Sequence, residues 1–179
     1  MKKLFFLLLI FLITGCEKSD EDVINSVRTH YNEVETISNE YIITTNLSDK
    51  AQDFCVNFLY NKDGSDIITV LEPESINGLE MEILKDETPM ISFDNVFLET
   101  FIEENLGASP ADMLSFAIYD LKEKEPSYVS VSDTIKLTYE YDKISKDVYL
   151  NLESYDIIGL EVYVDGNMIT NANIKASEG

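Results

Sequence analysis

The feature that most constrains this chain is strict alternation. Between Thr134 and Asp142, Ile135, Leu137, Tyr139 and Tyr141 take every second position, with Lys136, Thr138 and Glu140 between them. Successive side chains of a strand point to opposite faces, so the pattern describes a strand with one buried and one wetted face. The same period runs through Tyr41, Ile43, Thr45 and Leu47, through Phe54, Val56, Phe58 and Tyr60, and through Val148, Leu150 and Leu152. Leu160, Val162 and Val164 lead into an Asp165-Gly166 turn, and Met168 to Ile174 completes that hairpin. Ile67 to Leu71 is apolar on both faces and reads as a central strand. Shorter strands are expected at Leu79–Ile83, Ile91–Phe93 and Val96–Glu99, punctuated by Glu72-Pro73, Gly78, Pro89 and Asp94-Asn95.

Two stretches depart from this rhythm. Val23, Ile24, Val27, Tyr31 and Val34 are spaced for one face of a helix over Asp20 to Val34, with acidic residues in its first turn. Ser109-Pro110-Ala111-Asp112 predicts a second helix, with Ser109 as N-cap, Pro110 at the first helical position and Asp112 closing a capping box. Ala111, Leu114, Ala117, Ile118 and Leu121 would share its apolar face, and Glu123 to Pro126 would end it. A helix before a large antiparallel meander and a helix in its middle make an α+β fold. Strands that alternate over this length bury one face, and a curved sheet wrapped around the helices satisfies that need.

The chain begins MKKLFFLLLIFLITGC. Lys2 and Lys3 form a positive start, and Leu4 to Ile13 is an apolar run too short to span a bilayer comfortably. Ile13-Thr14-Gly15-Cys16 fits a lipobox: an aliphatic residue, two small residues, then the cysteine. The small residues admit a signal peptidase, and only a thiol carries the thioether-linked diacylglycerol. Acyl chains of the palmitate class contribute about 0.8 kcal/mol per buried CH₂, so two or three of them anchor stably where one is marginal. The expected organisation is a lipoprotein signal peptide at 1–15, a lipidated tether at 16–22, and a single domain at 23–176.

Composition limits the function classes. The formal charge is −21, and loss of Lys2 and Lys3 with the leader makes the mature form two units more negative. Such a field repels nucleic acid and anionic headgroups, and favours solubility, a basic protein partner or a domain held clear of the membrane surface. With Cys16 acylated, Cys55 is the remaining cysteine, so an intramolecular disulfide and paired-cysteine zinc sites are excluded. His30 is the single histidine and there is no tryptophan, which removes most acid–base and sugar-stacking chemistry. Asp63-Gly64-Ser65-Asp66 lacks the distal glutamate of a calcium loop and reads as a hairpin turn with Asn61-Lys62. The carboxylate pairs Glu103-Glu104 and Glu123/Glu125 read as solvated faces. No phosphate loop, nucleophile elbow or histidine-rich zinc motif occurs, so neither enzyme activity, a metal nor a cofactor is expected. The apolar stripes remain: Phe54, Val56, Phe58, Ile135, Leu137, Tyr139 and Tyr141 either line an apolar ligand cavity or form core against the helices.

The stretch ITVLEPESINGL at Ile68 to Leu79, then SPADML at Ser109 to Leu114, then IIGLEVYVDGNMI at Ile157 to Ile169, follow the lipobox in that order. This arrangement resembles the LolA-like lipoprotein-carrier superfamily, and within it a clostridial lipoprotein branch related to germination lipoproteins. The resemblance covers nearly the whole mature chain. It implies a strongly curved antiparallel sheet, an incomplete β-barrel of LolA/LppX-like type, with helices on the concave side. In carrier members that hollow holds acyl chains of a passenger lipoprotein, whereas germination-type relatives bind and support a cell-wall amidase. Carriers are soluble shuttles with a basic residue in a key loop; this chain keeps its own lipid and has few basic residues. The expectation is therefore a lipid-anchored protein on the extracytoplasmic side of the cell membrane, a non-enzymatic binder of a cell-envelope protein partner. The alternative is a carrier of lipid or acyl chains in the concave apolar cavity.

Overall fold

The computed structural model describes residues 19–46, 51–83, 90–93, 96–98 and 107–176. Cys16, Leu47, Pro89, Asp94-Asn95 and Glu103-Glu104 lie outside these residues. Helix α1 (Asp20–Glu33) opens on a reciprocal cap. The Ser19 hydroxyl accepts from the Asp22 N–H at 3.2 Å, and the Ser19 N–H donates to the Asp22 carboxylate at 3.2 Å. Asp20, Glu21 and Asp22 complement the positive end of the helix dipole, the acidic first turn expected of this helix. Val23, Val27 and Tyr31 are buried at i, i+4, i+8, while Ile24 and Val34 are half-buried.

Six strands follow: β1 (Thr36–Thr45), β2 (Gln52–Asn61), β3 (Asp66–Glu72), β4 (Glu80–Ile83), β5 (Met90–Phe93) and β6 (Val96–Leu98). Helix α2 (Met113–Glu123) intervenes before β7 (Tyr128–Val131), β8 (Thr134–Glu140), β9 (Ile144–Asn151), β10 (Ile157–Val164) and β11 (Asn167–Ile174). All lie in one antiparallel, unclosed, curved sheet of order β6-β5-β4-β3-β2-β1-β11-β10-β9-β8-β7. The expected single meander is thus two, joined where the first strand meets the last, with Ile43 opposite Ala172. Strands β6 and β7 are the two edges of the sheet, and α2 lies between them in the chain. Strand β7 is an addition to the expected set. Its short YVSV run offers too little alternation to stand out.

The local predictions can be followed to their causes. Asp165 (φ 49°) and Gly166 (φ 77°) both adopt the left-handed conformation that a tight hairpin demands, which glycine accepts freely. Regular helix in α2 starts at Met113, later than expected, because Ser109–Asp112 closes on itself first. There the Ala111 N–H donates to the Ser109 hydroxyl at 3.1 Å and the Ser109 N–H to the Asp112 carboxylate at 3.2 Å. Leu152 leaves the alternation and is 39% exposed. The Asn151 side chain accepts from the N–H groups of Glu153 and Ser154, which turns the chain before Leu152 can continue β9.

Both helices contribute to one core with the sheet's inward residues, including Val27, Tyr31, Phe58, Ile68, Leu114, Ile118, Leu137 and Leu160. Two tyrosines fasten it at depth: Tyr31 donates to the Tyr155 carbonyl at 2.8 Å and Tyr41 to the Ile157 carbonyl at 3.0 Å. Leu114→Ala should lower unfolding free energy by about 2–5 kcal/mol. Tyr119→Ala, on the opposite and exposed face of α2, should stay within about 0.5 kcal/mol. Urea unfolding compares the two; equal losses would mean that α2 buries a different face.

Candidate functional site

Strand β9 turns Lys146, Val148 and Leu150 toward the concave face, and all three are fully buried. A lysine in that register needs a partner, which Asp120 on α2 supplies. Lys146 Nζ lies 2.8 Å from Asp120 Oδ2, and both side chains are wholly inaccessible. The Tyr141 hydroxyl donates to the other carboxylate oxygen of Asp120. The ammonium also faces the rings of Tyr141 and Phe116, 4.9 and 5.2 Å from their centroids. Gly107 (φ +75°) closes over this group, where a Cβ would stand 2.5 Å from Phe116 Cβ and 3.1 Å from Lys146 Nζ.

Burial governs the titration of this cluster. It lowers the pKa of Lys146, an effect the neighbouring Asp120 opposes. Buried Asp112 is pushed up to about 6, against the hydrogen bond from the Ser109 N–H and the attraction of Lys146. Burial also carries the Tyr139 and Tyr141 phenols above their ordinary range, and Asp120 adds to both. Such an arrangement fixes α2 on β8 and β9. It offers no exposed nucleophile.

The apolar stripes meet where the alternation placed them. Val56, Phe58, Ile135, Leu137 and Tyr139 are buried in the common core, with Phe54 and Tyr141 half-buried against it. Tyr41 packs edge-on to Phe58, ring centroids 6.4 Å apart. The thiol of Cys55 is buried beside Lys175 Nζ at 3.4 Å, and that lysine also pairs with Glu40 at 3.0 Å. His30 packs against the rings of Tyr31 and Tyr155. Asp63 and Asp66 serve their hairpin: Asp66 accepts from the Asn61 N–H, and the Asp63 N–H donates to the Asn61 side chain. Among the described residues no group of three or more His, Cys, Asp or Glu is arranged to hold a metal, and no helix is long and apolar enough to cross a membrane.

A cleft of about 450 Å³ opens at one end of the concave face. Asp20 and Val23 of α1 form one wall, and Val129, Ser130 and Val131 of β7 with Ile135 of β8 form another. Leu152 and Tyr155 close it from the β9–β10 turn. Of the stripe residues, Ile135 alone is among those lining it.

No family model matches the chain, and no curated protein is recognisably similar in sequence. Among solved structures it shares its fold with an uncharacterized conserved protein from Thermus thermophilus. The TM-score is 0.50 at 8% identity, covering 88% of this chain and 85% of that one. The observed architecture, an unclosed curved antiparallel sheet with helices packed against it, is the α+β fold expected. A LolA superfamily protein from Nitrosomonas europaea is similar at TM-score 0.45 and 10% identity, covering 86% of this chain and 91% of that one. The structure of the CwlD amidase from Clostridioides difficile in complex with the GerS lipoprotein is similar at TM-score 0.43 and 13% identity, covering 93% and 98%.

Lys146 and Asp120 escaped the sequence reading because charge is ordinarily an outward marker. The signal was present, since Lys146 holds the inward register two residues before Val148, and Asp120 lies between Ile118 and Leu121. Lys146→Met strands a buried carboxylate and should cost about 3–5 kcal/mol, most of it recovered by adding Asp120→Leu. Urea unfolding of the single and double variants measures this. Asp112 gives a separate, pH-dependent outcome. Its folded pKa exceeds the ordinary 3.8, so the folded state holds that proton more tightly than the unfolded chain. The associated stability is complete below the ordinary value and lost as pH rises through about 6. Asp112→Asn should flatten this fall, gaining on the order of 2–3 kcal/mol at neutral pH relative to the parent. Unfolding curves in acid and at neutrality read it directly.

Proposed function

We propose that this chain is a lipid-anchored, extracytoplasmic lipoprotein that binds a protein partner in the cell envelope and performs no catalysis itself. Support for the anchor comes from the lipobox at Ile13 to Cys16. The observation that carries the binding role is the filling of the concave side. The two helices pack their buried residues into the same core as the apolar stripes. Contact with a partner then falls to the outer surface, the sheet edges and the cleft. Carriage of a lipid along the stripes would need α1 or α2 to leave that face. For α2 this means breaking the buried Lys146–Asp120 pair, a large penalty for a routine loading step. The buried Cys55 thiol and the ring-packed His30 fit a non-catalytic role.

Affinity capture from native membranes tests the binding role, and a reproducible partner at stoichiometric yield is the expected result. Native mass spectrometry separates the lipid-carrying alternative, which requires co-purifying acyl chains beyond those on Cys16. The anchor has its own test. Cys16→Ala should move the protein from the membrane to the soluble fraction with an unchanged urea midpoint. Retention on membranes after a high-salt wash would refute the anchor.

A further inference from the structure

The cleft borders β7, an edge strand with no neighbour on its outer side among the described residues. Its partner β8 lies opposite in the register Tyr128↔Thr138, Val129↔Leu137, Ser130↔Lys136, Val131↔Ile135. At the hairpin end the Ser132 N–H donates to the Thr134 carbonyl at 3.0 Å. Bonded and non-bonded pairs alternate along an antiparallel ladder. Tyr128 and Ser130 therefore bond to β8, while the main-chain N–H and C=O groups of Val129 and Val131 point away from the sheet. The same two residues line the cleft, so the free hydrogen-bonding edge and the apolar recess lie side by side. The strand carries neither lysine nor proline, the usual guards of an open edge.

Charge specifies the occupant. Asp20 lines the recess, and Glu21, Asp133 and Glu153 are exposed on the elements around it. Among the described residues no basic side chain lines the cleft. Lys136, the nearest lysine along β8, is paired with Asp147 at 2.8 Å.

We propose that β7 is the docking edge for an extended, basic segment of a protein partner, which adds a strand beside Val129 and Val131. An apolar side chain of that segment would enter the recess between Val23, Ile135, Leu152 and Tyr155, with lysine or arginine at the next positions meeting Asp20, Asp133 and Glu153. Strand addition takes affinity from main-chain bonds and specificity from alternate side chains, which matches an edge flanked by one apolar pocket and an acidic rim. This rests on the protein-binding reading above and names where and how it operates.

The test uses the full lipidated chain in detergent micelles and a fluorescent peptide of alternating valine and lysine. The expected result is saturable binding, read by fluorescence anisotropy. Val131→Pro removes one outward N–H while keeping the bonds to β8, and should weaken binding about tenfold or more with little change in urea midpoint. A peptide N-methylated at alternate residues should lose binding to the unaltered protein, a comparison that does not depend on the proline variant folding. Equal binding by the methylated peptide, or by Val131→Pro, would overturn strand addition. So would self-association in sedimentation that Val131→Pro abolishes, because β7 would then serve a second copy of this chain. Capture from membranes with the same variant keeps the two levels apart. A partner retained by Val131→Pro sinks the β7 site alone, whereas no partner with the unaltered protein sinks the binding role.

Discussion

One face of the eleven-stranded sheet is apolar along most of its strands, and water must be kept from it. The rest of the molecule is organised by that requirement. Each fully buried aliphatic or aromatic side chain contributes about 1.5–3 kcal/mol when its surface leaves water. An open sheet cannot cover its own concave side, so the helices do so. Helix α2, which lies in the chain between the edge strands β6 and β7, packs over the hollow with α1 beside it. The buried tyrosines finish the task by placing hydroxyls on carbonyls of the β9–β10 turn and the start of β10, so their rings can lie deep without an unsatisfied polar tip.

Apolar packing alone would tolerate sliding of α2 along its groove. The Lys146–Asp120 pair does not, because a displaced charge has no water to meet. The contrast between this interior and the surface frames the functional reading. Outside, a large excess of carboxylates keeps the domain soluble and draws basic surfaces toward it. Inside, the helices are held so firmly that a role depending on their departure is disfavoured. Recognition at an outer edge asks for no such movement, and a preformed site binds with less ordering cost than one that must open.

Much of this was legible in the residues. Alternation marked β8 and β2 as strands, and helical spacing marked the buried faces of α1 and α2, because each signal repeats several times within one element. The Asp165-Gly166 turn was readable since few residues tolerate two successive positive φ angles. The union of β1 with β11 was not, because pairing between strands so far apart in the chain leaves no local trace. Strand β7 was missed for its brevity, and with it the cleft. Lys146 and Asp120 were missed for a different reason: hydropathy treats each residue singly, whereas a buried ion pair is a property of two. The stripes containing Phe58 and Leu137 were recognised as apolar, but only the position of the helices decides what lies against them.

The buried pair also bears on how this protein can change over time. Loss of either Lys146 or Asp120 alone leaves a charge in the core, whereas loss of both can leave a sound apolar interior. The two positions are therefore energetically coupled, with a barrier between the charged and apolar solutions that single substitutions do not readily cross. Close homologues of this chain should carry either both charges or neither at these two sites.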